Sequence, residues 1–219
     1  MSLKDSILNI LFPPKCAFCG KIMDTASGVC SACQKALPYR PEGKVLQTID
    51  GFDCAVTFYY DGMVKSGIRA LKFQRKSNRA AVFGPYIAQT AAEYLGDRFD
   101  AVTFVPISSY RNFTRGFDQA QLLAQAAAAE WNVPVEKTLQ KTRNNPPQSS
   151  VKTPAERRAN VLGAYRPHPK ANIRGQRFLL IDDVLTTGST ITACARTLMA
   201  AGAESVVCVA LAGGHKEIS

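Results

Sequence analysis

A chain of 219 residues, 46% of them hydrophobic, is long enough for one ordinary domain and a small appendage. No apolar run approaches the roughly 20 residues needed to cross a bilayer, so no stretch reads as a membrane-spanning helix. The patch Ile7, Leu8, Ile10, Leu11 and Phe12 is too short and broken for a secretory leader, which makes a cytoplasmic location the expectation. The formal charge of +10 is unevenly placed: residues 101–170 carry ten basic and four acidic side chains, whereas residues 171–219 balance. Such a surface favours phosphate-bearing partners, although a merely soluble basic surface has the same composition.

Residues 1–14 read as a short amphipathic lead ended by Pro13 and Pro14. Two CxxC pairs follow, Cys16 with Cys19 and Cys30 with Cys33, separated by ten residues. Each pair forms a tight knuckle that aims two sulfurs at one centre, and two knuckles supply the four thiolates of a structural zinc site. Two disulfides are the rival reading, disfavoured in a reducing compartment; a redox pair lacks its βαβ setting. A module this small has almost no core of its own, so metal binding supplies its folding energy, about 10–16 kcal/mol in zinc-finger peptides. Cys54, Cys194 and Cys208 stand alone among apolar neighbours and read as small core residues. The expected division is a lead and zinc module over 1–37, a polar linker over 38–51 and one larger domain over 52–219.

The larger domain opens with a strand over Asp53–Tyr60, ended by the Asp61-Gly62 turn. A helix follows, with Val64, Ile68 and Leu71 on its core face. Lys65, Arg69, Lys72 and Lys76 fall on another face at helical spacing, with Arg75 and Arg79 nearby. That stripe reads as a solvated face or as a set of phosphate contacts. A second helix spans roughly 78–95, and a buried strand runs from Ala101 to Pro106. The basic, hydroxyl-bearing loop Ile107–Gly116 then feeds an Ala-rich helix over about Phe117–Trp131. Residues 133–141 read as another strand. A flexible basic segment, 143–152, precedes a capping box from Thr153 to Glu156 that opens a short helix through Arg157, Arg158 and Asn160. His168 and His215 lie in a loop and a tail and are not catalytic candidates.

The most informative stretch is Phe178–Thr190. Four apolar residues read as a strand buried on both faces of a parallel sheet. Asp182 and Asp183 follow at its carboxyl end, where open α/β sheets bind ligands. Thr186, Thr187, Gly188, Ser189 and Thr190 then make a hydroxyl-rich turn into a helix with Ile191, Cys194, Ala195 and Leu198 on one face and Gly202 as its stop. Unpaired N–H groups at a helix start suit an anion, and carboxylates suit a vicinal diol, so the pair describes a ribose 5-phosphate. A strand–turn–helix with a solvated acidic pair satisfies the same spacing. The last strand is expected over Val206–Ala212.

The string Ile181–Thr190 resembles the phosphoribosyl pyrophosphate (PRPP) motif of type I phosphoribosyltransferases. With the cysteine knuckles, the Arg115–Gln119 segment and Glu156–Val161, the chain resembles the ComF-type competence proteins from about Cys16 to Ala212. The resemblance implies an α/β fold with a phosphoribosyltransferase-like parallel sheet flanked by helices and a small zinc-ribbon-like module. It implies that Asp182 and Asp183 hold the ribose hydroxyls and that Thr186, Thr187, Gly188, Ser189 and Thr190 hold the 5-phosphate. By position, Ser108, Ser109, Arg111 and Arg115 would hold pyrophosphate, and the segment before the binding strand would close as a lid. If catalysis occurs, Asp182, Asp183, Arg111 and Arg115 carry it, with Mg²⁺ arriving on PRPP. The family's role implies single-stranded DNA as partner, contacted by Lys65, Arg69, Lys72, Arg75, Lys76, Arg157 and Arg158. A competence helicase and DNA-processing proteins would be further partners. A working phosphoribosyltransferase with an unknown acceptor and a PRPP-responsive regulator are the alternatives.

Overall fold

A computed structural model of the chain describes residues 13–23, 27–73, 78–142 and 163–215. Its centre is a five-stranded sheet of order β1-β2-β7-β6-β3. Strands β2 (Phe52–Tyr59), β7 (Ser205–Gly213), β6 (Arg177–Leu185) and β3 (Ala101–Phe104) run parallel. The edge strand β1 (Leu46–Ile49) is antiparallel to β2. It lies in the stretch expected to be a polar linker. The cause is local: Asp50 and Gly51 both take positive φ, 52° and 84°, which makes a tight hairpin that turns Leu46–Ile49 back onto β2. Only Ile49 of this strand is buried, so its pattern gave little signal.

Two helical layers cover the sheet. On one face α3 (Arg79–Leu95) packs over β2 and β7 and α5 (Gln119–Ala128) over β6 and β3, with Phe83, Ile87, Leu123, Leu179 and Ile181 in one buried cluster. On the other, α6 (Ser189–Ala200) packs Ile191, Cys194 and Leu198 against Phe178 and Leu180. This alternation along β6 buries both faces of the strand, as its continuous apolar run requires. Cys54, Cys194 and Cys208 are fully inside, as expected of core thiols.

Two expected elements change shape. The Ala-rich helix starts only at Gln119, because Asp118 caps it and accepts from the N–H groups of Ala120 and Gln121. Residues 133–141 split: Pro134–Glu136 bonds to Val102 at the edge of β3, and β4 (Leu139–Lys141) pairs instead with β5 (Tyr165–Pro167). The lid segment and the short helix beyond Thr153 lie outside the described residues.

Helices α3 and α5 cross closely at Gly84, where an added Cβ would meet Ala126 at 2.4 Å and the Ala127 nitrogen at 2.8 Å. The opposing atoms include backbone and cannot swing away. Gly84→Ala is therefore expected to lower stability by about 1–3 kcal/mol in urea unfolding, the usual range for an overpacked core. An unchanged midpoint would mean that the helices do not meet there.

Candidate functional site

The two cysteine knuckles, the second of which opens helix α1 (Ser31–Lys35), converge. The sulfurs of Cys16, Cys19, Cys30 and Cys33 all lie within 4.8 Å of one another. The Cys19 and Cys30 sulfurs stand 3.8 Å apart, the separation that a tetrahedral zinc with bonds of about 2.3 Å requires. Burial pushes the Cys16 thiol up, but the backbone N–H groups of Cys30, Cys19 and Phe18 outweigh it and bring it down to about 6. Cys16 thus favours the thiolate, whereas burial and the neighbouring sulfurs raise Cys33; four sulfurs at this spacing make the cluster a structural zinc site.

The module is less isolated than its size suggests. Phe18, in the first knuckle, is buried against Phe58, Phe83 and Tyr86 of the large domain. Arg79, the buried first residue of α3, donates to the Ala17 carbonyl and faces the charges of Cys16 and Cys19. The knuckle therefore shares the main core instead of lacking one.

The second site lies at the carboxyl end of β6. Beyond Ile181 the strand loses its β3 neighbour and continues paired to β7 alone. The helix following β3 packs on one face and the helix following β6 on the other, so the two connections diverge and open a crevice. Asp183 enters it from one side, buried, and both its oxygens bind the Lys72 ammonium at 2.9 and 2.8 Å. Asp182 bonds back to the Asp183 N–H at 2.8 Å and lies toward Cys194 and Cys208.

Electrostatics separates the two carboxyls. Burial, then the charge of Asp183, lifts Asp182 to about 8, so it holds its proton near neutral pH. Burial works against the Lys72 ammonium, but the Asp183 charge and hydrogen bond prevail and raise its pKa, so Lys72 keeps its proton.

The turn after β6 completes this end. Gly188 takes φ 73°, a left-handed conformation that suits glycine, and caps α6 without a side-chain bond. The first-turn N–H groups of α6 thus face the turn. Thr187 and Ser189 hydroxyls share a bond of 2.9 Å, and Thr192 ties back to the Gly188 carbonyl at 3.0 Å.

Across the crevice, the expected loop after β3 contains a short helix, α4 (Ser109–Arg115). Asp118 accepts from the Ile107 N–H at 2.9 Å, pinning the strand exit to the start of α5. Ser108 is buried beside it and bridges to Lys141, while Ser109 is exposed. Arg111 and Arg115 belong to α4, but their side chains lie outside the described set.

The basic stripe on α2 (Gly62–Phe73) divides. Lys65 and Arg69 are exposed, whereas Lys72 turns inward to Asp183. A buried carboxylate demands a cation, and α2 ends where Lys72 reaches it. This moves Lys72 from the solvated stripe into the acidic site. Arg75, Lys76, Arg157 and Arg158 lie outside the described residues.

The sequence reading sets Lys72 among the DNA contacts rather than beside Asp183, and gives no partner to Asp118 or His215. Asp118 had an N-cap signal, an acid opening an Ala-rich run. His215 had none: in the expected polar tail, it stacks on Tyr59 at 4.4 Å and binds Asp61 at 2.8 Å at the turn after β2.

Comparisons with known proteins agree with this architecture. The phosphoribosyl transferase domain family matches residues 87–218, and the double zinc ribbon domain matches residues 7–44. The chain is 28% identical over 202 residues to the DNA utilization protein YhgH of Salmonella typhimurium, covering 87% of this chain and 86% of that protein. It is 26% identical over 215 residues to competence protein F of Haemophilus influenzae, covering 88% and 93%. Among solved structures, it is similar to the glutamine PRPP amidotransferase of B. subtilis, with 22% identity and a TM-score of 0.41. That likeness covers 62% of this chain and only 26% of the amidotransferase. A match running from α3 past β7, with a zinc-ribbon match over the knuckles, places the chain in the phosphoribosyl transferase domain family, among its ComF-type members.

Proposed function

We propose that the chain binds PRPP with Mg²⁺ at the carboxyl end of β6 and acts in handling single-stranded DNA, as the names of its competence and DNA utilization relatives suggest. One observation carries the PRPP reading: a helix start with no side-chain cap adjoins an acidic pair on the same strand end. Thr186 through Thr190 would hold the 5-phosphate on backbone N–H groups and hydroxyls. Asp182 and Asp183 would accept from the ribose hydroxyls. Ser108, Ser109, Arg111 and Arg115 would face the pyrophosphate, and Mg²⁺ would come with it as part of the ligand. The exposed Lys65 and Arg69 support a phosphate-contacting face on α2. Arg75, Lys76, Arg157 and Arg158 extend that proposal in sequence. A competence helicase and DNA-processing proteins are the protein partners that this reading implies, in the cytoplasm.

Calorimetric titration of the zinc-loaded protein with PRPP and Mg²⁺ tests it. Wild type is expected to bind, and the paired change Asp182→Ala with Asp183→Ala to abolish binding. A well-folded wild type that takes up no PRPP would end the reading. A second reading, a working phosphoribosyltransferase, needs an acceptor beside the same crevice; it predicts acceptor-dependent pyrophosphate release in the same samples, reduced by Asp183→Ala.

A further inference from the structure

We propose that Tyr110 and Phe113 on α4 form a base-stacking platform for single-stranded nucleic acid. This rests on the DNA reading above and gives it a location. Tyr110 is 65% exposed and Phe113 89% exposed, although large aromatic side chains are normally covered. They stand three residues apart on one helix, so both rings lie on the same side of α4. Between and beside them come Arg111, Asn112, Thr114 and Arg115, with no carboxylate in the helix.

Exposed rings on a helix whose sequence holds cations and no carboxylate suit single-strand binding, since every base has a π face and every nucleotide a phosphate. A protein partner would instead call for a continuous apolar patch of roughly several hundred Å², larger than two rings supply. The setting adds further positive charge. Helix α2, also free of carboxylates, reaches this end of the sheet through Lys72 and Asp183. Asp118 lies within electrostatic reach of Asp183 and holds Ile107, two residues before α4 begins. A strand stacked on Tyr110 and Phe113 thus lies at the sheet end that carries Lys65 and Arg69.

Fluorescence anisotropy with full-length, zinc-loaded protein tests this. The probes are a labelled oligothymidylate of about 20 nucleotides and an abasic oligomer of equal length. Wild type is expected to prefer the oligomer that has bases. The paired change Tyr110→Ala with Phe113→Ala is expected to weaken oligothymidylate binding about 10- to 100-fold and to erase that preference. Its salt slope should stay unchanged, whereas Lys65→Ala with Arg69→Ala should reduce the slope by about 1.4. Because both rings are exposed, the aromatic variant should fold normally, as circular dichroism would verify. If wild type binds oligothymidylate and the aromatic variant binds equally well, the platform is wrong and the DNA reading survives. If wild type binds neither oligomer at any salt, the DNA reading fails and the platform with it. A wild-type dimer that sedimentation shows dissociating in the variant, with DNA affinity intact, would overturn the proposal in favour of a contact between copies.

Discussion

Chelating the zinc is expected to destabilise the sheet domain as well as the knuckles. Structural zinc contributes about 10–16 kcal/mol in zinc-finger peptides, so knuckles without metal should unfold. Here their unfolding withdraws Phe18 from its pocket among Phe58, Phe83 and Tyr86. It also leaves Arg79 without its carbonyl acceptor. Emptying a buried phenylalanine site costs about 3–5 kcal/mol, a large part of the 5–15 kcal/mol by which domains are stable. A thermal scan with chelator should therefore melt about 10 °C or more below the zinc-loaded protein. Phe18→Ala in the zinc-loaded protein should reproduce much of that loss. If the metal-free chain melts at the zinc-loaded temperature, the knuckle does not support the core.

Breaking the Lys72–Asp183 pair is the second large effect expected. The side chains are 21% and 6% exposed, so removing either leaves the other ion stranded in protein. Asp183→Asn or Lys72→Met alone should each cost about 3–5 kcal/mol. The double variant, which leaves no stranded charge, should cost well under their sum. Urea unfolding of the four proteins measures this, and strict additivity would show that the two groups do not interact. Asp182 supplies a companion check through pH. Its folded pKa of about 8 lies above the ordinary carboxyl value of 3.8, so the native state holds this proton more tightly than the unfolded chain. Its contribution is greatest below pH 4 and is lost as pH rises towards 8. Asp182→Asn should flatten the stability profile over that window; an unchanged slope would mean that the proton sits elsewhere.

Several features were legible in sequence because their chemistry is contiguous. The two CxxC pairs carry their own knuckle geometry, and both apolar faces of β6 can be read from four residues in a row. The acid pair, the hydroxyl turn and the start of α6 occupy nine consecutive positions, so backbone geometry alone keeps them together. Strand β1 was hidden because an edge strand with one buried residue has almost no hydrophobic period, although Asp50 and Gly51 held the turn signal.

The rest depended on pairings across long stretches of chain. In sequence Lys72 is one member of a basic stripe; the position of α2 at the end of the sheet turns it to a carboxylate 111 residues away. Asp118 and His215 gain their partners by the same kind of meeting, with the Ile107 N–H and with Asp61. Phe18 reads as a knuckle residue until α3 and β2 close around it. Local spacing determines which chemical groups the chain possesses. The charge state of those groups, and which of them face one another, follows from burial and ion pairing, which exist only once the sheet and its two helical layers have assembled.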